Sequence, residues 1–173
     1  MPGTSTKIKR LVHPGEGATV DLDGVFVTRK LDAKQTGDRF SVVEYRIPPA
    51  SLAAPLHVHD NEDAFTYVLE GTLGAVLGEE VAIVTPGTWM LKPRGEWHAF
   101  WNAGVSLCRV VDVISPAGFE NYFGELAAVF EEADGGRGVL ERFSAVNERY
   151  GVVMDFDSIP DLCRRFGLTH PLV

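Results

Sequence analysis

The chain has 173 residues, 45% of them hydrophobic and 23% charged, with a formal net charge of −8. That length holds one domain with a full core, or one domain with an appendage. An excess of acidic over basic side chains, 24 against 16, argues against nucleic acid as a partner, because such proteins need a basic face to neutralise phosphates.

Residues 1–23 read as an N-terminal arm. Their first ten residues carry charge but lead into no apolar run of a secretory signal. Nowhere does an apolar stretch reach the length of a membrane span, so no membrane partner is expected. Cys108 and Cys163 lie far apart without CxxC spacing. They fit free thiols in a reducing compartment, and the expected location is the cytoplasm.

Short strands are predicted at 24–28, 39–47, 64–69, 72–77, 81–84, 88–92, 98–102 and 107–114. They are rich in Val, Phe, Tyr and Thr, and turn pairs such as Glu70-Gly71, Pro86-Gly87 and Ala103-Gly104 divide them. Many short strands with no helix between them predict a closed barrel or double sheet over 24–115, an arrangement that removes exposed edges.

The pattern changes at Ser115-Pro116. Ser suits a helix N-cap and Pro the first helical position. Phe119, Tyr122, Phe123, Leu126, Val129 and Phe130 follow at helical spacing, with a stop at Asp134-Gly135-Gly136. A second amphipathic helix is predicted through Val139, Leu140, Phe143 and Val146 to near Gly151, and a short one from Pro160 to Gly167. Residues 116–173 therefore form a helical extension packed on the barrel. It is expected to cover the exterior or a dimer contact rather than act as a lid.

The chemistry lies in two segments. In 55–71, His57 and His59 stand two apart on a strand, which puts both imidazoles on one face. Both can meet a metal at about 2.0–2.1 Å. A third ligand has to come from another strand, and 87–102 offers one: Pro93 and Gly95 make a turn that delivers His98 at the start of a strand. His13 and His170 join neither segment and read as surface histidines.

These segments resemble the two cupin motifs, GxxxxxHxH…E…G and GxxxxxPxGxxHxxxN. The second is matched at every defined position, by Gly87, Pro93, Gly95, His98 and Asn102. The first is matched at His57, His59 and Gly71, with Ser51 where the opening glycine would stand. Residues 115–123 also resemble the helix entry of bacterial single-domain cupins. The resemblance implies a mainly β fold, a cupin jelly-roll β-barrel with a metal inside, here followed by the C-terminal α-helical extension.

One position departs from the pattern: the family's carboxylate ligand falls at Ala64. Alternation turns Asp63 to the opposite face. Glu62 has the right parity but lies in the turn before the strand, and is the candidate substitute ligand. The expected site is therefore the three histidines His57, His59 and His98. A divalent ion held by neutral imidazoles keeps its full charge and favours an anionic ligand, an enolate or carboxylate. Imidazole suits iron, nickel, copper and zinc alike. Ala64, Thr66, Val68 and Phe100 share the inward parity and are candidate pocket lining. Tyr45, Tyr67, Trp89, Trp97 and Trp101 are further aromatic candidates, and Arg94 and Glu96 flank the second motif at the mouth.

The resemblance implies a mononuclear metal-dependent enzyme, a dioxygenase acting on a small enolisable, polyphenolic or carboxylate metabolite, like quercetinase-like and diketone-cleaving cupins. The alternatives are a non-oxidative cupin (isomerase, decarboxylase or polyketide cyclase) and a non-catalytic small-molecule-binding cupin. Catalytic residues beyond the metal ligands are not identified. Cupins commonly pair, so a homodimer is implied, with Phe119, Phe123 and Phe130 as candidate contacts.

Overall fold

The computed structural model describes residues 9–131 and 138–171; the stop expected at Asp134-Gly135-Gly136 lies outside them. Three strands come first, β1 (Ala18–Leu22), β2 (Val25–Leu31) and β3 (Ser41–Ile47), with the single-turn helix α1 (Ala33–Thr36) before the third. Asp32 and Gln35 close a capping box around α1. Then follow β4 (Leu52–His59), β5 (Asp63–Glu70), β6 (Leu73–Leu77), β7 (Glu80–Val84), β8 (Trp89–Lys92), β9 (His98–Asn102) and β10 (Cys108–Ser115). Gly71 ends β5 where only glycine fits: its φ is +81°, and a Cβ would stand 2.6 Å from the Leu107 carbonyl oxygen.

With β11 (Val152–Met154), these strands form two antiparallel sheets, ordered β1-β2-β3-β10-β5-β8 and β11-β4-β9-β6-β7. One core fills the space between them, with Val43, Val68 and Val110 from the first sheet and Leu73, Ala75 and Phe100 from the second. Each buried Val, Leu or Phe side chain among them contributes about 1.5–3 kcal/mol. This is the jelly-roll arrangement that the resemblance implies. Among the described residues the two sheets face each other without pairing edge to edge into a closed barrel.

Besides the three-residue β11, two strands escape the sequence pattern. β1, inside the segment read as an arm, pairs with β2 from Ala18↔Arg29 to Leu22↔Val25. Asp23 and Gly24, both at positive φ, make the tight turn of that hairpin. The other is β4, whose register against β9 shifts twice; such irregularity blurs alternation and re-aims side chains.

Ser115 does not start a helix. It stays in β10, paired with Asp63, and its hydroxyl donates to the Arg39 carbonyl at 2.9 Å. The chain enters a 3-10 turn at Phe119–Asn121 and then α2 (Tyr122–Glu131). α3 (Val139–Tyr150) and α4 (Ser158–Phe166) each end at a left-handed glycine, Gly151 and Gly167. Phe123, Leu126, Phe143 and Val146 of α2 and α3 join the main core. α4 lays Ile159 and Leu162 on the outer face of β4 and β9, where Trp101 stacks on Phe166 at 4.2 Å. No described helix is long and apolar enough to cross a membrane.

Candidate metal centre

β4 and β9 are neighbours, and His57 and His98 are Cα partners across them. His59 follows two residues on, and its carbonyl accepts from the Gly95 N–H at 2.8 Å. That bond ties the turn of the second motif to the strand of the first. One ligand-capable atom from each imidazole lies within 4.8 Å of the others. All three side chains are buried.

The tautomers follow from the hydrogen bonds. His57 Nδ1 lies 2.7 Å from the Pro55 carbonyl oxygen and His98 Nδ1 lies 2.9 Å from that of Glu96. A carbonyl only accepts, so each Nδ1 carries the proton and each Nε2 keeps its lone pair. His98 Nε2 is buried with no hydrogen-bond partner among the described residues. An orphaned polar atom of this kind costs about 1–3 kcal/mol. Burial, with the Lys92 charge adding to it, lowers the pKa of His57 to about 3, of His59 to about 4 and of His98 to about 2. The three rings are neutral donors at neutral pH, and such a set fits iron, nickel, copper or zinc.

The cupin domain family matches residues 43–114, the stretch that contains all three histidines. Those residues are a cupin domain. Among solved structures the chain is similar to KdgF from Halomonas sp. at 18% identity and TM-score 0.57, covering 64% of this chain and 97% of that one. It is similar to the polyketide cyclase RemF from Streptomyces resistomycificus at 27% identity and TM-score 0.55, covering 62% and 79%. A predicted oxalate decarboxylase from Thermotoga maritima is similar at 20% identity and TM-score 0.56, covering 61% and 98%. No curated protein matches the chain.

His57 and His59 open on a cavity of about 320 Å³ that Ala64, Glu62 and Phe100 also line, while His98 stands behind them and is not part of its wall. Thr66 and Val68, given the same inward parity, are fully buried in the core and do not line it. Glu62 is buried, with Oε2 3.5 Å from His59 Nδ1, too far for a well-formed hydrogen bond. It stands outside the group of three, and burial pushes its carboxyl up to about 7. Asp63 turns away and pairs with Arg94 at 2.8 Å. Of the aromatic candidates only Tyr45 lines the cavity. Tyr67 packs on Trp89 at 4.7 Å away from it, and Trp101 lies under α4. Neither Arg94 nor Glu96 reaches it.

The helical extension does more than cover the exterior of the sheets. Phe119, Tyr122, Phe123 and Phe143 form cavity wall, and the Phe119 ring sits 4.6 Å from that of His59. Phe119 and Phe123 are buried within the chain and are not free to make a dimer contact. The bridge between Ser51 and Thr169 brings His170 to the cavity rather than leaving it on the surface; burial lowers its pKa to about 4.

Two further cavity residues were missed in the sequence, Lys92 and Asp112. They are 4% and 2% exposed. Lys92 Nζ donates to Asp112 Oδ2 at 2.7 Å, and the Thr66 hydroxyl donates to Asp112 Oδ1 at 2.6 Å. Strand alternation carries the signal: Lys92 shares parity with buried Met90, and Asp112 with buried Val110 and Ile114.

Proposed function

We propose that this protein is a mononuclear metal-dependent enzyme in which His57, His59 and His98 hold a divalent iron, nickel, copper or zinc ion. What carries the reading is the set of three buried neutral imidazoles, two of them locked with Nδ1 protonated and one leaving Nε2 without a partner. When bound, the metal would supply Lewis acidity toward an enolate or carboxylate and, if redox-active, access to dioxygen chemistry. The chain's own residues set the stage. Burial keeps the imidazoles neutral, and Glu62 Oε2 stands 3.5 Å from His59 Nδ1 without a hydrogen bond to it. Ala64 contributes no ligand, which leaves room beside the histidines for a substrate oxygen. Tyr45, Phe119 and Phe123 give the cavity an apolar wall for an aromatic or aliphatic body.

The reaction this favours is oxidative cleavage of a small enolisable or polyphenolic anion by a dioxygenase. A second, non-oxidative reading is favoured by the 27% identity to the polyketide cyclase RemF. Elemental analysis of the purified wild type and of a His57→Ala, His59→Ala variant comes first, then oxygen uptake with diketones and flavonols. A redox metal lost in the variant, with oxygen uptake, supports the dioxygenase. Zinc without uptake favours the non-oxidative enzyme. No metal after incubation with excess divalent ions overturns both and leaves a binding protein.

The homodimer is assigned to the exposed apolar face of β5 and β8, where Phe65, Leu69, Trp89 and Leu91 are 39–62% exposed. The proposed location is the cytoplasm, where Cys108 and Cys163, both free, stay as thiols.

A further inference from the structure

The buried pair Lys92–Asp112 holds none of the three histidines, and its presence needs a reason. Taking two charges out of water costs several kcal/mol per ion, and an apolar replacement is often as stable. Lys92 has three N–H donors. One goes to Asp112, and the ammonium rests 4.8 Å from the centre of the Phe100 ring. Both oxygens of Asp112 are engaged, one by Lys92 and one by Thr66. The remaining lysine donors border the cavity that both residues line.

Position matters as much as charge. Lys92, Asp112 and Thr66 lie on the six-stranded sheet, and the histidines on the sheet that faces it. The register partner of Lys92 on β5 is Ala64, so a methyl group, not a carboxylate, stands beside the ammonium.

We propose that Lys92 is a specificity-determining anion receptor: it binds the oxyanion of a carboxylate, enolate or phenolate whose other end occupies the histidine site. Asp112 is the resident partner of the ammonium, and its negative charge opposes a second anion there. The apolar wall suits a compact aromatic body between the two ends. This deepens the metal reading and rests on it only for what holds the far end.

Salicylate and its neutral relative 2-hydroxybenzamide are suitable probes, titrated by calorimetry into metal-loaded and chelator-treated protein. The variants are Asp112→Asn and the double change Lys92→Met with Asp112→Asn. The double variant leaves net charge unchanged and strands no buried carboxylate, and its folding is checked by urea denaturation. The wild type should prefer salicylate. The double variant should lose about tenfold or more of its salicylate affinity with 2-hydroxybenzamide unchanged, while Asp112→Asn alone should bind salicylate as well or better. Undiminished salicylate binding in the double variant overturns the assignment. So does an equal loss in Asp112→Asn, which still has its lysine, or a wild type without salicylate preference. Metal content of each sample is read separately. Its absence throughout overturns the metal reading, while the comparison in chelator-treated protein still decides the role of Lys92.

Discussion

His57 and His98 stand opposite each other on adjacent strands, with ring centroids 4.2 Å apart and their Nδ1 protons turned outward to backbone carbonyls. His98→Ala should therefore bring metal content to background while leaving the fold. Glu62→Gln, which removes the carboxyl standing 3.5 Å from His59 Nδ1, should lower metal affinity about tenfold. Chelator competition on the two variants measures both effects; equal affinity in Glu62→Gln and wild type would remove Glu62 from the site.

The three imidazoles also set a pH dependence. Burial lowers their pKa values to about 3, 4 and 2, whereas in the unfolded chain each titrates near about 6.5. Below that pH the unfolded chain binds more protons, so stability falls as pH drops from about 6.5 toward the folded values. Each histidine adds up to about 1.4 kcal/mol per pH unit in that window. Urea midpoints of chelator-treated protein between pH 7 and 5 should fall steeply, and less steeply in His57→Gln.

Ala64→Glu restores the carboxylate position of the family pattern. It should tighten metal binding by about an order of magnitude and reduce activity toward anionic substrates. The same side chain would also face Lys92, its neighbour in register. Unchanged metal affinity would mean that position 64 does not face the metal.

Trp101 is 1% exposed and stacks on Phe166 of α4. Trp101→Ala should cost about 3–5 kcal/mol of stability, read from denaturant unfolding. Metal content should hold, because Trp101 points to the face of β9 away from the cavity. Loss of metal at full stability would show that the outer face feeds into the site.

Trp89→Glu, on the exposed face of β8, should shift the sedimentation coefficient from dimer to monomer. A wild type that is already a monomer at micromolar concentration would end the dimer assignment.

The legible parts of this molecule were those that short-range rules govern. The second motif places Pro93, Gly95, His98 and Asn102 at fixed offsets because the turn, the ligand and a side-chain pin are local. Asn102 donates to the carbonyls of Ile47 and Ser106 and accepts from the Gly104 N–H, and so holds the end of β9. Helix ends at Gly151 and Gly167 were equally readable. What stayed hidden depends on distant segments meeting. His170 reaches the cavity only through the Ser51–Thr169 bridge, and Phe119 and Phe123 become wall only because the extension folds back. Lys92 and Asp112 are an intermediate case. Alternation put both charges inside, but twenty residues separate them, so their pairing is a property of the sheet.

β11 lies beside β4, with Val152 opposite His59 and Met154 opposite His57. A chain emerging residue by residue makes both motifs long before it makes that flank. Until residues 152–154 have emerged, the strand carrying two of the histidines has an unprotected side, open to pairing with another nascent chain. Metal loading in a cell is therefore expected to follow the emergence of β11, and fragments that stop after β10 should aggregate rather than assemble a working centre.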